Sequence, residues 1–431
     1  MPRSLIPGLL LLLAGDVAVA MPGNQAIGRV SRQTPAEWNL HLRDDNHNPK
    51  LPRVFRSWWQ TRLEGVSTSG PTRIRLTGRG HKGLYLPVYS YDYRNWRQLP
   101  ESAVRENGRG SLVMTTRFRR SRVWLARQQP YTMKDLRAFL DRTRTSPFAR
   151  IQSIGRTRAG RDMPLLTLTN FRYGARHQRR IWIHARTHPG ETSTSWVVEG
   201  LVDWLLTSAA GQRSLKYFIF NILPMHNLDG VALGNNRTTP ASVDLERAWC
   251  TRPDRPGELC PDAPLEVRNV HRVLRAFMAG KTPVRIALNL HSTNGSPQMR
   301  PHFIPHFGDT RQYNARQRSL FRKQRRFVRF FLESQPRPWV RDLAEEHGPS
   351  FAGRPFMETW FWKNYGPAVM AVTFESTYGR IPGTSSWFNP EEYRRMGAAL
   401  ARSSILWFAK RPPRKPGPGL MAVLSPEESP H

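Results

Sequence analysis

Cysteine is nearly absent from this 431-residue chain, which has only Cys250 and Cys260. With no third cysteine and no histidine near them in sequence, the pair is excluded as a local metal site. Acidic residues are scarce beside basic ones: 32 Asp+Glu against 66 Lys+Arg, a net charge of +34. The N-terminal apolar run is too short to span a bilayer comfortably, and no later segment is long and apolar enough to cross one. No internal repeat is visible, which sets aside repeat architectures.

What is present points to a globular protein. Hydrophobic residues make up 39% and there are 14 Trp. The length suggests two or three domains with ample core. The basic balance has two readings: a solvated surface, or a surface for an anionic partner such as an acidic peptide, a cell-wall polymer, a membrane surface or nucleic acid. The charge runs along the whole chain rather than in one block, which favours general surface character.

The N-terminus reads M-P-R-S-L-I-P-G-L-L-L-L-L-A-G-D-V-A-V-A. Arg3 gives a positive start, 5–14 an apolar core, and Ala18-Val19-Ala20 a small-residue cleavage pattern. The expectation is a signal peptide over 1–20 cut after Ala20, and a secreted or periplasmic protein. In that setting a disulfide would close the Pro/Gly-rich loop between Cys250 and Cys260.

Residues 21–35 read as a polar N-terminal segment. Over 36–130, short alternating runs bounded by Gly, Pro and Asn predict antiparallel strands and a small β-sandwich. Trp58, Trp59, Tyr85, Tyr89, Tyr91 and Trp96 are read as core rather than as a binding face. Thr132 with Asp135 three residues on marks a helix start. A hairpin is expected to turn at Ala159-Gly160. Strands are predicted over 180–184, 217–223, 284–290 and 368–374, and helices over 192–207, 264–278, 311–332 and 391–408. Alternating strands and helices over 131–410 imply an α/β domain with a largely parallel sheet. The arginine-rich 311–332 helix is read as a solvated face over a core stripe of Phe327, Phe330 and Phe331. The Pro-rich 411–431 is expected to be a disordered tail.

The chemistry concentrates in I-W-I-H-A-R-T-H-P-G-E-T-S-T-S-W, residues 181–196. An apolar strand turns at Pro189-Gly190 and continues as a helix. His188 and Glu191 stand three positions apart on that turn, close enough to share one zinc ion. Alone, the same spacing also describes a polar turn whose glutamate favours the helix N-terminus. A catalytic zinc needs a third ligand, and His291 in A-L-N-L-H-S-T is the candidate. Arg237 and Arg247 lie in loops past a strand end, where an open α/β sheet binds ligands. The strand V-M-A-V-T-F ends in Glu375. His184 is read as a supporting or core histidine, and His302 and His306 as loop histidines near the cleft.

Taken together, A-R-T-H-P-G-E-T-S-T-S-W, N-L-D-G-V, G-N-N-R, D-L-E-R-A-W and the V-W-L-A-R-Q-Q-P-Y-T exit resemble the ordered blocks of the zinc metallocarboxypeptidases, specifically their cytosolic-carboxypeptidase-like branch. The resemblance runs over roughly 58–408. It implies a small β-sandwich domain followed by a zinc-carboxypeptidase-like mixed, largely parallel sheet flanked by helices, and hydrolysis of a C-terminal peptide or isopeptide bond. It implies one Zn²⁺ on His188, Glu191 and His291, and Glu375 as general base on zinc-activated water. Arg237 would stabilise the oxyanion, and Arg247 would hold the substrate's terminal carboxylate with Asn236 and residue 246 beside it. With the export signal, the expected substrate is an extracytoplasmic peptide or cell-wall peptide.

One residue departs from the pattern: Glu246 stands where the family has Asn. Its carboxylate has three readings: pairing with Arg247, binding a substrate ammonium, or loss of ordinary activity. Tyr365 and Tyr378 are both available as the family's mobile tyrosine. The alternative function is a non-catalytic or altered-specificity member that binds an anionic polymer through its basic surface.

Overall fold

The run Ile-Trp-Ile-His-Ala has no polar alternation, and such a strand is stable only when covered on both faces. In the computed structural model it lies at the heart of a seven-stranded sheet, as part of Arg179–Ala185. The structure describes residues 26–409 apart from 82, 108–109, 175–177, 294–296, 341–342 and 344–352. The expected signal peptide and the expected disordered tail lie outside the described residues. The chain divides into two units, one ending at Arg127 and one beginning at Gln128.

The first unit is built from β-strands. Its five-stranded sheet runs in the order Ile27–Thr34, Glu37–Leu42, Thr72–Thr77, Ser111–Thr116, Val104–Asn107. Its four-stranded sheet runs Gln60–Glu64, Arg122–Ala126, Val88–Ser90, Arg97–Gln98. The first strand begins at Ile27, inside the stretch read as a polar segment. Polar side chains there hid a strand held by main-chain pairing to Glu37–Leu42. Trp58, Trp59 and Tyr85 are buried, as read for core residues, whereas Tyr89, Tyr91 and Trp96 are only half-buried. The Trp59 indole donates to the Tyr85 hydroxyl at 2.8 Å.

In the second unit the seven strands lie in the order Ala149–Arg156, Asp162–Leu168, Phe218–Leu223, Arg179–Ala185, Val284–Thr293, Met370–Thr377, His302–Ile304. The four from Phe218–Leu223 to Met370–Thr377 are mutually parallel, while both edges are antiparallel. The sheet is therefore mixed, with a parallel centre. The first edge is the expected hairpin, whose turn uses Gly160 at φ +81°. Thr132 and Asp135 form a reciprocal capping box at the start of Met133–Arg144.

Helices Ser193–Thr207 and Pro390–Leu406 pack with almost no gap, which their glycines permit. A Cβ on Gly397 would sit 1.9 Å from the Val197 carbonyl oxygen, and one on Gly200 would sit 2.0 Å from that of Arg394. Helix Ala315–Ser334 buries Phe327, Phe330 and Phe331, as its stripe predicts. Among the described residues, no helix is long and apolar enough to cross a membrane.

This topology prepares a site. Arg179–Ala185, Val284–Thr293 and Met370–Thr377 are adjacent and parallel, so their C-terminal ends reach one edge together. His291 and Glu375 are direct register partners across the last pair. Side chains of paired residues leave a sheet on the same face.

Candidate metal centre

The turn after Arg179–Ala185 is fixed by a buried arginine. Arg186, at φ +58°, donates from Nε to the Pro189 carbonyl at 2.9 Å. Its other nitrogens donate to Ser195 Oγ at 2.8 Å and to the Tyr131 carbonyl at 3.1 Å. Gly190 donates its N–H to the Asn236 carbonyl at 2.8 Å. These bonds hold His188 and Glu191 on one side of the turn.

Three ligand atoms converge there. His188 Nδ1 lies 2.7 Å from Glu191 Oε1, and His291 Nδ1 lies 3.0 Å from Glu191 Oε2. The two Nδ1 atoms are 3.2 Å apart although their residues are 103 positions apart in sequence. One ligand atom from each of His188, Glu191 and His291 falls within 4.8 Å of the others, and all three residues are buried. Glu191 Oε2 also accepts the N–H of Ser292 at 3.1 Å.

Both histidines are held from behind through Nε2. On His188 the partner is Asp244 Oδ1 at 3.1 Å; on His291 it is Glu246 Oε2 at 3.2 Å. Carboxylates only accept, so each ring proton belongs on Nε2. The two Nδ1 lone pairs then face each other and a carboxylate. Three acceptors at this spacing repel unless positive charge lies among them. Two imidazole nitrogens and a carboxylate are also the donor set of catalytic zinc. The residues fit one zinc ion.

The electrostatics agree. Burial disfavours a charged ring, yet Glu191 and Asp244 hold His188 above the ordinary histidine value, and Glu246 and Glu191 hold His291 well above it. Against the upward push of burial, His188 and His291 hold Glu191 well below the usual carboxylate range. His188 and Arg237 do the same for Asp244.

Asp244 and Asn289 are the residues that sequence reasoning missed. Asp244 accepts from Arg237 Nε at 2.7 Å and lies 3.7 Å from Arg247 Nε, so one carboxylate gathers a ligand and both arginines. Its signal was its place in D-L-E-R, three residues before Arg247. Asn289 donates Nδ2 to both Glu246 oxygens, at 3.0 and 3.1 Å. Its signal was a polar residue two before His291 in an otherwise apolar strand. Glu246 itself requires a correction. Its two oxygens face Asn289 and His291, not Arg247, which none of the three sequence readings anticipated.

Glu375 is half-buried, but its Oε2 is shut off from solvent and has no hydrogen-bond partner. Burial pushes its carboxyl up to about 7, with Glu191 adding and the two histidines opposing. A buried carboxyl with one unsatisfied oxygen, beside three convergent ligands, suits proton transfer near neutral pH.

The remaining candidates lie as follows. His184 is a core histidine, its Nε2 2.8 Å from His226 Nδ1. His306 Nε2 is 2.9 Å from Thr359 Oγ1, and His302 Nδ1 is 3.1 Å from the Arg300 carbonyl. The Tyr378 hydroxyl is tied to Ser292 Oγ at 2.5 Å and Ser193 Oγ at 3.2 Å. Tyr365 packs against Trp360 with ring centroids 5.5 Å apart. Cys250 and Cys260 form a disulfide.

Residues 136–302 match the zinc carboxypeptidase family, and residues 23–127 match the cytosolic carboxypeptidase N-terminal domain. Human cytosolic carboxypeptidase 6 is 32% identical over 243 residues, covering 52% of this chain and 47% of that protein. Cytosolic carboxypeptidase 2 of Xenopus tropicalis is 34% identical over 248 residues, covering 49% of this chain and 25% of that protein. The chain thus spans about half, or less, of the curated relatives it matches. Among solved structures, a metallo-carboxypeptidase from Burkholderia cenocepacia superposes with TM-score 0.72 at 21% identity, over 89% of this chain and 96% of that one. A Pseudomonas aeruginosa metallo-carboxypeptidase in complex with (2-guanidinoethylmercapto)succinic acid gives 0.72 at 20% identity, with the same coverage. These two share the fold. The relatives and the N-terminal domain match bear cytosolic names, which overturns the secreted or periplasmic address expected from residues 1–20.

Proposed function

Because the chain belongs to the zinc carboxypeptidase family, in its cytosolic-carboxypeptidase-like branch, we propose that it is a zinc-dependent metallocarboxypeptidase. It hydrolyses the C-terminal peptide or isopeptide bond of a peptide substrate. The single observation that carries this reading is the convergence of His188, Glu191 and His291 within 4.8 Å, with Glu375 in register beside His291.

A zinc ion on those three residues supplies Lewis acidity to the scissile carbonyl and acidifies water. Glu375 takes the proton from the attacking water on its carboxylate and later passes it to the leaving nitrogen. Arg237 lies against Asp244 and meets the negative charge that develops on the carbonyl oxygen. Arg247, with its side chain 55% exposed, is available to a terminal carboxylate and restricts cleavage to chain ends. Asn236 takes part through its carbonyl, which fixes the turn at Gly190. The excess of 66 basic over 32 acidic residues favours peptides with acidic C-termini. No observation favours the alternative of a non-catalytic polyanion binder.

The test is release of terminal residues from peptides ending in acidic, basic and diamino acids, by zinc-loaded protein. Glu375→Gln is expected to keep one equivalent of zinc and lose activity by about 10²- to 10⁴-fold. Absence of release from every peptide by zinc-loaded wild type refutes the reading.

A further inference from the structure

The segment D-L-E-R provides two carboxylates, two positions apart, to two different histidines. Asp244 opens the short turn Leu245–Arg247, and its Oδ1 accepts the N–H of Glu246 at 3.0 Å. The turn sends Asp244 to His188 and Glu246 to His291, each at Nε2. Glu246 is itself fixed by Asn289, which is fully buried in the strand that carries His291. A residue that only bound substrate would keep an oxygen turned toward the cleft. Glu246 is 8% exposed, and both of its oxygens are engaged behind the ligand set.

From this geometry, and resting on the metal site proposed above, we infer that Glu246 is a positioning residue for the metal: it orients His291, fixes its proton on Nε2 and leaves Nδ1 to bind the ion. Its added negative charge strengthens His291 as a donor, as a carboxylate behind an imidazole does in other metal sites. Asp244 stands in the same relation to His188, so both imidazoles are backed by carboxylates. An asparagine at 246 has a shorter side chain and no charge, and would provide neither the reach nor the field.

The experiment compares full-length wild type, Glu246→Gln and Glu246→Ala. Zinc affinity is measured by chelator competition, the ligand geometry by the absorption spectrum of the cobalt-substituted protein, and kcat and KM on one peptide. Unfolding of the zinc-free proteins checks that each variant folds. Glu246→Gln, which keeps the shape and an acceptor oxygen, is expected to weaken zinc binding about 10-fold. Glu246→Ala is expected to weaken it by up to about 100-fold. Both should alter the cobalt spectrum and leave KM little changed. Wild-type zinc affinity and an unaltered spectrum in both variants overturn this inference alone, as does a rise in KM as the sole effect. Failure of wild type to take up one equivalent of zinc overturns the metal site and this inference with it.

Discussion

Glu358 shows how a single buried acid reports on its surroundings. It lies in helix Met357–Tyr365, 2% exposed, and accepts from Thr373 Oγ1 at 2.6 Å. Its other oxygen is buried without a partner. Burial first, and Glu246 next, push its carboxyl from 4.5 up to about 7. A carboxyl raised on folding favours the fold while protonated. That contribution is complete below about pH 4.5 and is lost as pH rises through 7. Glu358→Gln, which cannot ionise, is therefore expected to gain stability relative to wild type between pH 5 and 8. The gain has an upper bound of about 3 kcal/mol. Denaturant titrations of both proteins across that range measure it, and a pH-independent difference contradicts it. At this scale the sequence was readable where turn chemistry and strand ends expose a residue, as with His188, Glu191, His291 and Glu375. It was not readable where a side chain's direction depends on distant partners. Glu246 and His291 are 45 positions apart, and nothing local decides that they meet.

Among the secondary-structure elements, the two glycine-bearing helices make the sharpest prediction. Gly397→Ala forces a methyl group against the backbone of Ser193–Thr207, where no flexible side chain can yield. A loss of about 3 kcal/mol is expected, seen as a lower denaturant midpoint. An unchanged midpoint would mean that the helices can separate freely. The central strands and the amphipathic helices were legible because their apolar periods are clean. Met357–Tyr365 was not, because it is short and its first five residues, the polar Glu358 and Thr359 among them, are all buried, so polar and apolar positions do not separate into a helical period. The opening strands of the first unit were hidden for the opposite reason, since alternating polar side chains along an exposed edge resemble loop.

For the molecule as a whole, length pointed to two or three domains, and the alternation of strands and helices to the mixed, largely parallel sheet that the second unit has, its antiparallel edges fixed by a hairpin and by the short His302–Ile304. The pattern of residues 1–20 led to an export address that the relatives' cytosolic names overturn. The ligands are drawn from two segments, 188–191 and 291, that meet only after the parallel sheet has assembled. A bound ion therefore clasps two segments that an unfolded polypeptide keeps far apart, and its affinity becomes resistance to unfolding. With free zinc at one hundred times its dissociation constant, the gain is about 2.7 kcal/mol. The melting temperature should climb with zinc, fall with a chelator, and respond to neither in His291→Ala. Metal supply would then govern how long the folded enzyme persists as well as whether it works.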